Sequence, residues 1–244
     1  MEYLLDSHTH TLASGHAYNT IMEMAREAAE KGLRLLGITE HAPAMPGSCA
    51  SIYFRNLKVV PRRQYGIEVM LGAELNILNY EGKVDLEPDV MEKLDLNIAS
   101  LHPPCIRPGT CAQNTAALVR AVENPLIHII GHPDDGRYPV DYDTLAAAAA
   151  EHGVLLEVNN HSLEPGSFRM NARENDLKML ECCMKYGTYI ILDSDAHWCA
   201  GIGRHDCSLA LVEEAGFPED HIANTSVELY KRFIHGPAAS GGGF

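Results

Sequence analysis

His8-Thr9-His10 places two imidazoles two residues apart, just after the apolar start Tyr3-Leu4-Leu5. On an extended chain such residues face one side, so both rings can close on one ion while Thr9 points away. Asp195 and His197 repeat the spacing after Ile190-Ile191-Leu192. Between these pairs, His41, Glu74, His102 and His132 each come just past a short apolar run, and His16 follows the first pair on a loop. Seven of the 13 histidines therefore gather at expected strand ends with two carboxylates. Imidazole and carboxylate donors suit Zn²⁺, Mn²⁺ or Fe and suit Ca²⁺ poorly. Glu74 has two oxygens and can bridge two ions.

Something must hold these residues at one level. Short apolar runs predict strands near 3–6, 34–38, 68–73, 94–99, 126–131, 154–158 and 188–193. Helical stretches lie between them near 19–31, 113–123, 142–152, 172–186 and 206–215. Asn19-Thr20 is a cap signal, and Gly32, Gly153 and Gly187 are stop signals. Strand–helix alternation of this kind predicts a parallel sheet. No linker divides the chain, so one domain is expected over 1–236, with a flexible tail at 237–244. Segment 42–66, with Pro43, Pro46, Gly47, Pro61 and Arg62-Arg63, lacks clean periodicity. It reads as a loop or short helices over the site, or as a surface insertion.

The net charge of −14 opposes a general nucleic-acid or anionic-membrane surface, although divalent ions can reverse the sign locally. No apolar run is long enough for a membrane-spanning helix, and the start lacks a secretion signal, so a cytoplasmic protein is expected. Seven scattered cysteines with no CxxC pair read as reduced thiols, with Cys105 and Cys199 close in sequence to candidate ligands.

The ordered set His8-x-His10, His16, Thr39-Glu40-His41, Glu74, His102, Gly131-His132-Pro133 and Ser194-Asp195-x-His197 resembles the polymerase-and-histidinol-phosphatase (PHP) family. Gly109-Thr110, Asn114-Thr115, Leu156 to Asn160, and Phe217-Pro218 to Ser226 further resemble its YcdX-type phosphatase branch. The resemblance implies a distorted seven-stranded (βα)7 TIM-like barrel of the α/β class with three divalent ions at the strand ends. Carried over, one ion takes His8, His10, Glu74 and Asp195. A second takes His16, His41 and His197, and a third shares Glu74 and adds His102 and His132. Zn²⁺ is the first expectation for these sites, with Mn²⁺ or Fe as options.

Such ions lower the pKa of a bridging water, so hydroxide is available near neutral pH. Held among His8, His10, Glu74, Asp195 and His197, it would attack a phosphate monoester in line. Arg169 and Arg204 follow the sixth and seventh strands, where a guanidinium can clamp phosphate. His161 and His205 are candidates to protonate a leaving group, and Glu40 is a candidate to orient a ligand. His128, His152, His221 and His235 read as structural. The leading expectation is a phosphatase for a small phosphorylated metabolite, with histidinol phosphate, mononucleotides and sugar phosphates as options. The alternatives are nucleotide or DNA phosphodiester cleavage, amidohydrolase-type C–N hydrolysis, and metal binding without catalysis. Assembly as a homo-oligomer is compatible with all of them.

Overall fold

Seven parallel strands, neighbours in the order they occur along the chain, wrap into a nearly closed barrel. The computed structural model describes residues 3–235, so the tail expected to be flexible, 237–244, lies outside the described residues. The first half of the chain runs through β1 (Leu5–Asp6), α1 (Ile21–Glu30), β2 (Leu35–His41), α2 (Ser51–Asn56), β3 (Arg63–Gln64), β4 (Ile67–Asn76), α3 (Pro88–Met91) and β5 (Asn97–Ser100). It continues through α4 (Cys111–Val122), β6 (Ile129–Ile130), α5 (Tyr142–His152), β7 (Leu155–Asn159), α6 (Asn160–Leu163), α7 (Ala172–Tyr186), β8 (Ile190–Asp193), α8 (Asp206–Glu214) and α9 (Val227–His235). Short β3 pairs antiparallel with β4 outside the barrel path. No described helix is long and apolar enough to cross a membrane.

The helix ends follow their local chemistry. Thr20 caps α1 in a reciprocal box with Glu23, and Thr110 does the same for α4 with Gln113. Asp141 caps α5, and left-handed Gly153 and Gly187 close α5 and α7. Segment 42–66 divides in two. Met45 reaches the cavity at the strand ends, while buried Phe54 and Leu57 fasten α2 and the following turn to the core.

Side-chain alternation sorts the barrel interior into layers. Leu5, Leu35, Met70, Ile98, Ile129, Leu155 and Ile191 pack together in the lower interior. Tyr230 and Ile234 of α9, unforeseen in the sequence, join that cluster and plug it from below. Two residues further up, the inward positions are small or polar: Gly37, Gly72, Ser100, Gly131, Glu157 and Asp193. A Cβ at Gly37 would fall on the Ser7 carbonyl oxygen, and one at Gly72 on that of Leu96, so only glycine fits. Four residues above Met70, Ile98 and Ile191 come Glu74, His102 and Asp195.

The seam between β1 and β8 is closed mainly by side chains. Ser7 donates from its backbone N–H to Asp193 Oδ1 at 2.6 Å, and the Ser194 N–H donates to Asp6 Oδ1 at 3.2 Å. Each serine hydroxyl also bonds the aspartate of the opposite strand. Below this exchange, Asn224 stands in for a strand residue. Its Oδ1 accepts from Leu192 N–H at 2.8 Å, and its Nδ2 donates to the carbonyls of Leu192 at 2.7 Å and Leu5 at 3.2 Å. Above it, Thr9 pairs with Ala196 in a parallel bridge.

Candidate metal centre

The nine residues singled out by type and spacing converge at the upper end of the barrel. Glu74 lies at the middle: its Oε1 is 2.8 Å from His132 Nε2, 3.1 Å from His102 Nε2 and 3.5 Å from His8 Nε2. Its Oε2 is 2.6 Å from His41 Nδ1 and 3.6 Å from His10 Nε2. Asp195 Oδ1 reaches His10 Nε2 at 3.2 Å and His8 Nε2 at 3.8 Å. The rings of His16 and His197 stack at a centroid separation of 4.8 Å, as do those of His16 and His41. Four sets of three have their donor atoms within 4.8 Å of one another: His10/His41/His197, His8/His132/Asp195, His8/His10/Glu74 and His41/Glu74/His102.

Outer partners aim the donor atoms inward. His8 Nδ1 lies 2.7 Å from Glu157 Oε1, His10 Nδ1 lies 3.0 Å from Ser14 Oγ, and His102 Nδ1 lies 2.7 Å from Asn76 Oδ1. Asn76 donates to Ala42 O at 3.1 Å and Asp85 Oδ2 at 2.7 Å, which turns its own oxygen toward His102. His102 Nδ1 must therefore be the donor, leaving the Nε2 lone pair facing Glu74. Glu40 acts on both His10 and its neighbour His41 through Ser14: its Oε2 accepts from Ser14 Oγ at 2.6 Å, and that hydroxyl meets His10 Nδ1 at 3.0 Å and accepts from the His41 N–H at 2.9 Å. Backbone strain is concentrated here too: His132 and Asp195 hold left-handed φ values of 30° and 54°.

Charge follows the same arrangement. Burial would raise the Glu74 pKa, yet the facing His102, His41 and His8 hold it well below the usual carboxylate range. Burial also opposes ionisation of Asp195, and His8, His10 and Arg169 more than reverse that. Burial first, then His41 and His197, keep His10 neutral, as a metal ligand must be. His8 is pulled well above its ordinary value, against burial, by Glu157, Glu74 and Asp195. Three carboxylates around one imidazole call for positive charge at that point.

Arg169 is brought to the cluster: Nη2 donates to Asp195 Oδ2 at 3.0 Å, and Nη1 donates to Asn159 Oδ1 at 3.0 Å and Ser162 Oγ at 2.9 Å. Arg204 is not, since its half-exposed guanidinium pairs with Glu164 Oε1 at 3.2 Å. His205 is likewise remote, buried against the Tyr3 ring at 5.7 Å. His161 lines the cavity above the cluster, which measures about 460 Å³ and is also bounded by Met45, Pro103, Pro104, Arg137 and Phe168. All seven cysteines are free, and burial pushes the Cys105 thiol up to about 12, away from thiolate chemistry. Glu157, Ser14, Asn76 and Arg137 were not foreseen in these roles. Of them, Glu157 alone left a sequence signal, as a charge inside the apolar run Val154-Leu155-Leu156-Glu157-Val158.

A barrel with imidazole and carboxylate donors converging at the carboxyl ends of its strands defines a class of metal-binding barrel proteins. The chain belongs to the PHP domain family, which matches over residues 6–164. It is 47% identical over 230 residues to a probable phosphatase of Caldicellulosiruptor saccharolyticus, covering 94% of this chain and 95% of that protein. It is 43% identical over 225 residues to a probable phosphatase of Clostridium novyi, covering 92% and 91%. The fold is similar to that of histidinol phosphate phosphatase from Lactococcus lactis, solved with zinc, L-histidinol and phosphate. That match has a TM-score of 0.62 at 18% identity and covers 88% of this chain and 95% of the other.

Proposed function

We propose that this phosphoric ester hydrolase of the PHP family cleaves small phosphate monoesters with three divalent ions held by the nine clustered residues. One observation carries the reading. Among the described residues, His8 Nε2, His10 Nε2, His41 Nδ1 and Glu74 Oε2 are buried without a well-directed hydrogen bond, and they face one another across the same centre, His41 Nδ1 and Glu74 Oε2 at 2.6 Å. Orphaned buried donors and acceptors are costly, and outward-facing partners already fix the rings of His8 and His10, so the lone pairs suit cations. The proposed ligand groups are those expected from the family resemblance: His8, His10, Glu74 and Asp195; His16, His41 and His197; Glu74, His102 and His132. Of the four observed trios, His8/His10/Glu74 lies within one of these groups and the others run between them.

Bound there, the ions supply a hydroxide nucleophile near neutral pH and positive charge for the phosphate oxygens. Zn²⁺ is the first choice, since the Lactococcus lactis neighbour was solved with zinc, and Mn²⁺ or Fe remain compatible with these donors. The chain's own groups do the rest. Arg169 fixes Asp195 and presents its edge to the cavity, and Arg137 lies across from it with Nε and Nη2 held by Asp135 at 2.8 Å and 2.5 Å. These two guanidinium groups, rather than Arg204, are placed to meet an anionic substrate. Phe168 and the Pro103-Pro104 pair bound the space for its organic part.

A cavity of about 460 Å³ suits a small phosphorylated metabolite, histidinol phosphate among them, better than a polymer. The net charge of −14 also disfavours nucleic acid. Seven free thiols accord with a cytoplasmic location, and a homo-oligomer remains compatible. Phosphate release from p-nitrophenyl phosphate, measured with metal content before and after chelation, tests the reading. Release that vanishes with the metals and returns with Zn²⁺ or Mn²⁺ is expected. No release with three ions bound would overturn it.

A further inference from the structure

Hydrolysis of a poor-leaving ester is accelerated by a proton supplied to the departing oxygen. Among the side chains lining the cavity, His16, His41, His102, Asp195 and His197 belong to the proposed ligand set and are taken up by it. Arg137 and Arg169 present guanidinium groups, which by type are not acids for such a step, and Met45, Pro103, Pro104 and Phe168 have no proton to give. That leaves His161. An imidazole is the side chain suited to exchange a proton near neutrality.

His161 is built into this place. It is the second residue of the short α6, whose cap Asn159 accepts from Ser162 N–H at 3.0 Å and receives Arg169 Nη1 at 3.0 Å. The arginine continues to Asp195, so the turn bearing His161 is tied directly to the metal cluster. Its Nδ1 lies 3.5 Å from Glu164 Oε2. The other carboxylate oxygen is already engaged, by Asn160 Nδ2 at 3.2 Å and by Arg204 at 3.2 Å, which turns Oε2 to the imidazole. His161 Nε2 has no hydrogen-bond partner among the described residues, and the ring is 42% exposed at the cavity wall.

We propose that His161, oriented by Glu164, is the catalytic residue that protonates the leaving oxygen of the ester. The inference rests on the phosphatase reading. Hydroxide oxygen bonds to phosphorus, the ester P–O bond breaks, and its electron pair takes the proton from His161 Nε2. The products are phosphate and the free alcohol, and solvent returns a proton to the exposed ring. Glu164 is a positioning residue, since it acts through the imidazole. Arg204, expected from the sequence to meet phosphate, serves here by holding Glu164.

Leaving-group dependence tests the assignment in the metal-loaded enzyme, with metal content verified for every variant. p-Nitrophenolate departs without a proton, whereas unsubstituted phenolate benefits from one. His161→Asn is expected to lower kcat on phenyl phosphate by about 10²-fold and to change kcat on p-nitrophenyl phosphate little. Glu164→Gln should show the same selectivity with a smaller loss. Equal losses on both esters, or none on either, would overturn the assignment while leaving the phosphatase reading intact. A wild-type enzyme that cleaves neither ester with its metals bound would overturn both.

Discussion

Glu157 Oε1 lies 2.7 Å from His8 Nδ1, and both side chains are fully buried. The other oxygen of Glu157 accepts from the His132 N–H at 2.6 Å, so one carboxylate orients a ring and anchors the backbone of a second candidate ligand. The contact sets which nitrogen of His8 carries hydrogen and so which one is free for an ion. Glu157→Ala should therefore weaken metal binding about 10–100-fold, read by competition with a chromogenic chelator. Unchanged affinity would show that His8 is oriented by its ion-side contacts alone.

The ligand groups make a prediction about stoichiometry. His16 and His197 belong to one proposed ion and His132 to another, with Glu74 at the junction. His16→Ala should lower the metal content by one equivalent and leave the other two ions bound, by elemental analysis after dialysis. Glu74→Ala should empty more than one site. Equal metal loss in the two variants would argue against three separable positions.

Asn224 closes the barrel seam by presenting an amide where β1 and β8 lack a continuous ladder. Asn224→Ala leaves the Leu192 N–H without its bond at 2.8 Å and strips a donor from the carbonyls of Leu192 and Leu5. Buried backbone groups left unpaired cost about 1–3 kcal/mol each, partly relieved by relaxation. A loss of roughly 2–4 kcal/mol in urea unfolding is expected. A loss below that range would mean water replaces the side chain.

Asp176 on α7 is buried, with neither carboxylate oxygen hydrogen bonded among the described residues. Burial, then Asp134 and Glu157, push its pKa well above the ordinary carboxylate value, against the pull of Arg169. A raised folded-state pKa means its contribution to stability is fully present below the unfolded value. That contribution is lost as pH rises through the raised one. Asp176→Asn should accordingly raise Tm at pH 8 by about 2–4 °C, equivalent to about 1 kcal/mol at this chain length, and change it less at pH 4. The opposite ordering would show that the charged form is paired in the folded state.

The strand ends were legible because parallel strands are short apolar runs and the residues just after them break that character, as at Ile130-Gly131-His132. Helix ends were legible where capping is local, as in Thr20 with Glu23. The plug was not, since Tyr230 and Ile234 find their partners in strands from across the whole chain. Nor was Asn76 visible as an orienting group, because its hydrogen bond to His102 depends on how β4 and β5, neighbours in the sheet, register. Arg169 and Arg204 looked alike in sequence. Only the turn of α6 separates them, sending one to Asp195 and the other to Glu164.

The exchange between Ser7 and Asp193 joins residues 186 positions apart. During synthesis, the first strand leaves the ribosome long before the last, so His8 and His10 must wait for Asp195 and His197. A nascent chain halted before β8 would hold seven of the nine candidate ligands beside an unpaired sheet edge. The barrel and its centre are therefore timed together, and neither can be finished until nearly all of the protein has been made.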